Sequence, residues 1–197
     1  MVHRIVGSVL VIALCTPCTC ASTPPSFRLM SMPEDTVIQT PQERCVYVSS
    51  GNGHGTGVVL KSGVVVTNFH GVSTDNEMLI SEKAVKILKA IPQNDLAFLS
   101  FKGKATTVTF GEARVGDEVY YIGNPADHKC VKVRLTVIEI RGRHFFVDGL
   151  VLPGSSGSGV WNSKGELVGI VKGRELIGPY NGFGLIIGSK TIREEMP

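Results

Sequence analysis

From residue 45 onward, short apolar runs alternate with turns that are rich in glycine and polar residues. The runs at 56–60 and 64–68 are separated by Lys-Ser-Gly at 61–63, which predicts a β-hairpin with the glycine at its corner. Residues 131–137 alternate strictly between apolar and polar side chains. That alternation has the period of a strand with one buried face.

About a dozen such runs follow one another, and no long amphipathic helix lies between them. The pattern predicts an all-β sandwich or barrel rather than a parallel α/β sheet. A polar, turn-rich segment at 110–117 divides it into two halves, at about 44–110 and about 111–190. Ser189 is placed to cap one short C-terminal helix.

The first 21 residues have the pattern of an export signal. His3 and Arg4 precede an apolar run at 5–14, and small residues follow. The run has the length of a signal-peptide core and is short for a bilayer span, although an uncleaved membrane anchor is the alternative. We therefore expect an exported protein, periplasmic or secreted, that contacts a membrane only through this segment if it is uncleaved. Residues 22–43 contain four prolines and predict a flexible linker, so the folded domain spans 44–197.

Charge, cysteine content and histidine spacing bear on nucleic-acid binding, on disulfide formation and on metal binding. The formal net charge is +3, and removal of the signal would take away only Arg4, which gives +2. So small a charge does not by itself indicate nucleic-acid binding. Cys45 and Cys130 would remain, either joined in a disulfide or as two buried thiols. The five histidines show no metal-ligand spacing, so we expect neither a metal nor a cofactor.

The run "GSSGSG" at 154–159 raises the question of a nucleophilic serine, which needs a base and an oxyanion stabiliser. Every histidine precedes Ser156, and no serine fits Gly-x-Ser-x-Gly, so the α/β-hydrolase arrangement is excluded. "GHGTGV" at 53–58 is similar to the histidine motif of subtilisin-like enzymes, but their Gly-Thr-Ser-Met-Ala motif is absent. We therefore expect His54 to be a turn residue that enters a strand.

A third arrangement has the order histidine, aspartate, serine on antiparallel β-barrels. His70 lies just beyond the apolar run at 64–68, and Asp95 stands at the entrance of another apolar run. Ser156 follows in the second half. Each residue alone is commonplace in a loop. Their joint occurrence in this order on an all-β pattern favours a catalytic triad.

These segments resemble the protease domain of HtrA-type, trypsin-like serine peptidases. The resemblance rests on "GTGVVL", "VVVTNFHGV", "NDLAFLSF", "VGDEVYYIGNPADH" and "VDGLVLPGSSGSGVWNSKGELVGIV", and it covers roughly residues 44–195. It implies two packed six-stranded antiparallel β-barrels of the chymotrypsin-like type with a short C-terminal helix. The family pattern Gly-Asn-Ser-Gly-Gly-Pro makes Ser156 the nucleophile, while Ser155, Ser158 and Gly159 depart from it. The sequence leaves no room for a PDZ domain after the last strand, so we expect a protease domain without one.

The resemblance also implies a role for each site residue. His70 would be the general base, Asp95 would orient it, and the backbone amides of Gly154 and Ser156 would form the oxyanion hole. The floor of the specificity pocket falls six residues before the nucleophile, at Leu150. Val171 would lie on the strand that pairs with substrate, and Phe183 on the opposite pocket wall. An apolar substrate side chain is then expected, unless Leu150 and Phe183 simply fill the second barrel.

Three other functions fit parts of the pattern. A pseudoprotease could use the same groove to hold peptides, and a virus-encoded processing protease could share the fold with the N-terminus as its anchor. A nucleic-acid-binding barrel would draw on five basic residues, Lys129, Lys132, Arg134, Arg141 and Arg143. No stacking aromatics are interleaved with them, so we expect a protein or peptide partner and no nucleic acid. The oligomeric state is left open.

Overall fold

The structure, a computed structural model, describes residues 37–51, 53–72 and 77–197. The predicted export signal at 1–21 and the larger part of the predicted linker lie outside the described residues. The described residues of the first half form nine strands: β1 (Val37–Ile38), β2 (Cys45–Ser50), β3 (Gly53–Lys61), β4 (Val64–Asn68), β5 (Met78–Ile80), β6 (Lys83–Val85), β7 (Ile87–Ile91), β8 (Leu96–Ser100) and β9 (Lys104–Ala105). The second half contains six strands and a helix: β10 (Glu118–Gly123), β11 (Val131–Arg141), β12 (His144–Asp148), β13 (Gly159–Trp161), β14 (Leu167–Arg174), β15 (Gly184–Gly188) and α1 (Ser189–Glu195).

Barrel one is a sheet in the order β6-β5-β2-β3-β4-β8-β7 with antiparallel neighbours. Its two edge strands, β6 and β7, are separated only by Lys86. One bent, extended segment therefore forms both edges, and the sheet curls round on itself. This explains why seven strands appear where six were expected. The predicted hairpin is confirmed as β3–β4, in which Val58 pairs with Val66.

Barrel two is closed, in the order β10-β11-β12-β15-β14-β13. Closure is completed by β10, which pairs with β13 as well as with β11, and all the pairs are antiparallel. A closed barrel leaves no free sheet edge. The predicted all-β fold of two chymotrypsin-like barrels with a short C-terminal helix is confirmed.

The apolar core has three parts, and they explain why strands such as β4 are apolar at nearly every position. One cluster, including Val59, Val65 and Leu99, belongs to barrel one alone, and a second belongs to barrel two. The third contains Val66 and Phe98 of barrel one together with residues of barrel two and α1, so it packs the barrels against each other. Alternate residues of β4 and β8 thus face the interior of barrel one or the other barrel, and both faces are buried.

The described part of the predicted linker, 37–43, is packed rather than free. β1 pairs in parallel with β9, and the Ile38 side chain is buried. Next to this segment, the buried Arg44 guanidinium donates to the carbonyls of Gln39 and Val59. The folded unit therefore begins before residue 44, because an apolar side chain and several backbone bonds attach this segment to barrel one.

The helix α1 differs from the expectation in how it begins. Gly188 occupies the N-cap position, and no side chain caps the helix there. Ser189 is instead the first helical residue, and its hydroxyl donates to the Gly111 carbonyl at 2.6 Å. The predicted cap is therefore wrong, since Ser189 uses its hydroxyl to attach the helix to the segment between the two barrels.

Candidate active site

His70 and Asp95 are brought together at one end of barrel one. The His70 Nδ1 atom lies 2.9 Å from Asp95 Oδ2, and the His70 backbone N–H donates to Asp95 Oδ1 at 2.9 Å. The side chain of Asp95 is only 12% exposed, whereas that of His70 is 50% exposed. A shielded carboxylate that holds Nδ1 leaves Nε2 as the imidazole nitrogen available for proton transfer.

The local sequence explains how the two residues meet. β4 and β8 are neighbours, and Asn68 at the end of β4 pairs with Leu96 at the start of β8. His70 follows in a single 3₁₀ turn, Phe69–Gly71. Asp95 ends the preceding 3₁₀ turn, which begins with proline, and has a left-handed conformation (φ 53°, ψ 40°) that aspartate tolerates better than most residues. Its carbonyl accepts the Phe69 N–H at 3.1 Å, which fixes the two turns together.

Ser156 faces the same cleft as His70. This cleft has a volume of about 530 Å³, and its walls include His54, Thr67, Gly71 and both residues. The Ser156 hydroxyl donates to the Lys172 carbonyl at 3.2 Å rather than to His70. Contacts between a catalytic base and its nucleophile are often looser without substrate. Ser155 and Ser158, by contrast, are fully buried, so Ser156 is the serine of this run that reaches the cleft.

The backbone amides of Gly154 and Ser156, predicted to form an oxyanion hole, make no bond inside the described part of the protein. Within the described residues, neither N–H has a hydrogen-bond acceptor. The carbonyls of the same two peptide units are occupied, because Ala126 N–H donates to the Pro153 carbonyl at 2.8 Å and Ser158 N–H to the Ser155 carbonyl at 2.9 Å. In a trans peptide the N–H and C=O point in opposite directions, so both amides point away from these internal bonds.

The positive φ of Gly154, 88°, requires glycine, and a Cβ there would also clash with the Asn124 carbonyl oxygen. This is a physical reason for the first glycine of the "GSSGSG" run. Residues 153–157, called the oxyanion loop here after their predicted role, are thus packed directly against the segment that follows β10.

None of the three predicted substrate-binding residues is among those that line this cleft. Leu150 is 56% exposed, so it does not fill the core of barrel two. Phe183 is half-buried. Val171 is completely buried in the core of barrel two, and its N–H and C=O bond to Ser158 and Gly157. Val171 therefore attaches the oxyanion loop to the core of barrel two through its backbone.

His54 is not the turn residue that the sequence suggested. It lies within β3 and stacks on Tyr47 with ring centroids 5.3 Å apart. Its Nε2 atom is 3.2 Å from Asp127 Oδ1, on the segment that follows β10. His54 lies in the cleft wall beside Gly154. Sequence reasoning missed this grouping because Asp127 and Gly154 are far from His54 in the chain.

A disulfide joins Cys45 to Cys130, whose Cα atoms are 5.9 Å apart. Cys45 begins β2 in barrel one, and Cys130 directly precedes β11 in barrel two. The bond therefore links the two barrels, which decides between the alternatives that the sequence left open. Among residues 37–51, 53–72 and 77–197, no group of three or more His, Cys, Asp or Glu side chains is arranged to hold a metal ion.

The two-barrel fold, with a histidine, an aspartate and a serine at one end, defines the class of chymotrypsin-like proteins. The profile of the trypsin-like peptidase domain matches residues 55–170, which is more than half of the chain. The chain belongs to the trypsin-like peptidase family.

Two proteins similar in sequence fit this assignment. A probable periplasmic serine endoprotease DegP-like protein of Ectopseudomonas mendocina is 32% identical over 168 residues, which cover 75% of this chain and 34% of the relative. The chain thus spans about a third of the length of that relative. Exfoliative toxin A of Staphylococcus aureus is 31% identical over 159 residues, which cover 61% of this chain and 56% of the toxin.

Among solved structures, the serine endoprotease from Yersinia pestis superposes with a TM-score of 0.69 at 21% identity, covering 78% of this chain and 61% of that one. An inactive form of the Rv3671c protease gives a TM-score of 0.66 at 19% identity, covering 78% and 87%. At these identities the superpositions establish the shared fold alone.

Proposed function

We propose that this chain is a serine endopeptidase that hydrolyses peptide bonds through His70, Asp95 and Ser156. The observation that carries the proposal is the His70–Asp95 pair, with its Nδ1–Oδ2 distance of 2.9 Å, facing the same cleft as Ser156. A serine hydroxyl is inert at neutral pH unless a base removes its proton, and His70, held at Nδ1 by Asp95, is the proposed base.

The reaction follows from these positions. Ser156 Oγ attacks the carbonyl carbon of the scissile bond, and its proton passes to His70 Nε2. Asp95 holds the imidazole by Nδ1 and stabilises the imidazolium that forms. The proton then goes to the leaving amine, and the C–N bond breaks. Water, activated by the same histidine, hydrolyses the acyl-enzyme and regenerates the hydroxyl.

The amides of Gly154 and Ser156 are proposed as the oxyanion hole. Both belong to peptide units whose carbonyls are bonded inside the protein, which supports their pointing outward before substrate arrives. Preorganised donors of this kind stabilise the charge that develops in the transition state, and losing one typically lowers the rate about 100- to 1000-fold.

We further propose that the substrate presents an apolar side chain next to the scissile bond. Leu150 and Phe183 are accessible apolar residues on barrel two, and Val171 belongs to the apolar core of the same barrel. None of the three offers a carboxylate to pair with lysine or arginine. A peptide-library cleavage profile should be dominated by apolar residues at this position, and a profile dominated by basic residues would contradict the proposal.

Export is proposed from three observations. The N-terminal pattern is that of a signal segment, the DegP-like relatives are named periplasmic, and Cys45 and Cys130 are joined as in proteins from oxidising compartments. In the described part of the chain, no helix is both long and apolar enough to cross a membrane.

The nucleophile can be tested with a fluorophosphonate probe, which forms an Oγ–P bond and releases fluoride. The wild-type protein should be labelled at Ser156 and should degrade casein, whereas Ser156→Ala should do neither. Ser155→Ala and Ser158→Ala should each keep at least about a tenth of the activity, since their hydroxyls are buried away from the cleft. If Ser158→Ala were the inactive variant, the assignment of Ser156 would be wrong.

A catalytically silent, peptide-binding groove is the second candidate. The bond from the Ser156 hydroxyl to the Lys172 carbonyl, rather than to His70, is the observation that favours it. Peptide binding by a wild-type protein that the probe does not label would support this candidate against the endopeptidase.

A further inference from the structure

The Thr56 hydroxyl connects barrel one to the oxyanion loop. Thr56 lies in β3 and is completely buried. Its Oγ1 is 3.0 Å from the Gly154 carbonyl oxygen, 2.9 Å from the Asn124 backbone nitrogen and 3.1 Å from Asn124 Nδ2. Both Asn124 groups are donors, so the single hydroxyl proton is left for the Gly154 carbonyl.

The backbone of Thr56 holds the same loop at a second point. Its N–H donates to the Ser156 carbonyl at 2.8 Å. Its own carbonyl accepts the Thr67 hydroxyl at 2.7 Å and lies where a Cβ on Gly157 would have to be. One residue of barrel one therefore contacts the loop on both sides of Ser155.

Asn124 extends this network to the segment that follows β10. Its side-chain oxygen accepts the Cys130 N–H at 3.0 Å, and its Nδ2 also donates to the Val46 carbonyl at 3.3 Å. Two residues later, Ala126 has a positive φ of 47° and gives its N–H to the Pro153 carbonyl. A positive φ at alanine is strained and persists only where the surroundings enforce it.

Gly154 is the point at which these bonds converge. The carbonyl on its N-terminal side is held by Ala126 and its own carbonyl by Thr56, so the peptide units on both sides are fixed. Without these bonds a glycine could rotate more freely than any other residue. Rotation of either unit would turn the N–H of Gly154 or shift that of Ser156.

We propose that the Thr56 hydroxyl is a positioning group for the oxyanion hole: by holding the Gly154 carbonyl, it keeps the Gly154 and Ser156 amides directed at one point in the cleft. This inference rests on the proposed endopeptidase function. It assigns Thr56 a part in transition-state stabilisation without any contact with the substrate.

The test is the burst kinetics of p-nitrophenyl acetate hydrolysis, which separates binding of the ester from acylation of Ser156. Thr56→Val keeps the shape of the side chain and removes the hydroxyl. We expect the acylation rate constant to fall about 10- to 100-fold while the apparent dissociation constant of the ester changes less than about threefold. Thr56→Ser keeps a hydroxyl at this position, and its acylation rate constant should stay within about threefold of the wild-type value.

Ser189→Ala is the matched control, because it also removes a buried hydroxyl that donates to a backbone carbonyl, and Ser189 is not among the residues that line the cleft. It should lower the melting temperature without changing the acylation rate. Three results would each overturn the proposal. The acylation rate constant of Thr56→Val could stay within about twofold of wild type, or Thr56→Val could weaken only the binding of the ester. The third result is a fall in the acylation rate constant of Ser189→Ala as large as that in Thr56→Val.

A second readout separates this proposal from the endopeptidase function. Hydrogen–deuterium exchange of a peptide spanning 153–158 should be faster in Thr56→Val than in Thr56→Ser or Ser189→Ala. If the wild type shows no burst and no fluorophosphonate labelling, the endopeptidase function fails, and the exchange comparison still tests whether the hydroxyl holds the loop. Unchanged exchange in Thr56→Val would contradict the inference in either case.

Discussion

Removing the disulfide between Cys45 and Cys130 should destabilise the protein without unfolding it. The bond closes a loop with a sequence separation of 85 residues and links barrel one to barrel two. The chain-entropy model gives about 4.5 kcal/mol of stabilisation for a loop of this length, and removal of native disulfides from small domains typically costs about 2–5 kcal/mol. Domains are stable by only about 5–15 kcal/mol, so the loss is a substantial fraction of the total.

The double variant Cys45→Ala/Cys130→Ala is the appropriate perturbation, because it leaves neither a free thiol nor a new polar group. A loss of about 3–4 kcal/mol corresponds to a melting temperature lower by roughly 10 °C for a domain of this size. Thermal unfolding followed by circular dichroism measures it. Dithiothreitol should lower the melting temperature of the wild type to near that of the double variant and should leave the double variant unchanged.

Two results would refute this reasoning. The first is a double variant that melts within about 2 °C of the oxidised wild type, which would mean that the closed loop contributes almost nothing. The second is a double variant that responds to dithiothreitol as strongly as the wild type does, because the effect would then come from other cysteines. Peptide mapping without reduction should independently recover the fragment that contains both cysteines.

Two further predictions concern the surroundings of Asp95. Asp95→Asn should lower kcat by about 10,000-fold with little change in the melting temperature. The carboxamide oxygen would keep the His70 N–H, and its NH₂ would face Nδ1 and impose the wrong tautomer; activity within tenfold of wild type would contradict this role. Burial lowers the pKa of His144 from its ordinary 6.5; Lys172 and Arg143 lower it further, and Asp95 opposes them. The unfolded chain then takes up a proton that the folded protein excludes, so stability should fall as the pH drops below about 6.5. Urea midpoints at pH 7.5 and 5.5 should differ less in His144→Gln than in the wild type, and an equal difference would contradict this.

The fold class could be predicted from the sequence because local patterns of apolar and turn residues indicate it. Glycine corners and apolar runs define strands such as β3 and β4, and the family motifs carry the arrangement of the barrels. The part of the N-terminal segment at 37–43 could not be predicted as ordered, because Ile38 is held by the core of barrel one and by pairing with β9, and both lie mostly far along the chain. The capping role of Ser189 failed for a similar reason, since its partner is Gly111 in another part of the fold.

For the candidate site, the sequence supplied residue types and order but not supporting contacts. His70 and Asp95 could be proposed because each stands at the end of an apolar run. Thr56 carries no comparable signal: a threonine between two glycines at the start of a strand is ordinary in sequence. Its importance comes from Asn124 and Gly154, which are 68 and 98 residues away. A contact of that kind appears only when the two barrels are packed together.

The candidate site is divided between the two barrels, so the contacts between the barrels determine how accurately its residues are positioned. His70 and Asp95 belong to adjacent strand ends of barrel one, so their geometry is fixed within a single sheet. The proposed nucleophile, Ser156, belongs to barrel two and is attached to barrel one through the Thr56 N–H. The distance between base and nucleophile is therefore set by the packing between barrels, to which Val66 and Phe98 contribute from one side. The hydrogen bonds between the barrels near Ser156 thus influence the alignment of His70 with Ser156 more than the interior of either barrel does. Residues inside one barrel can repack without moving one half of the site relative to the other.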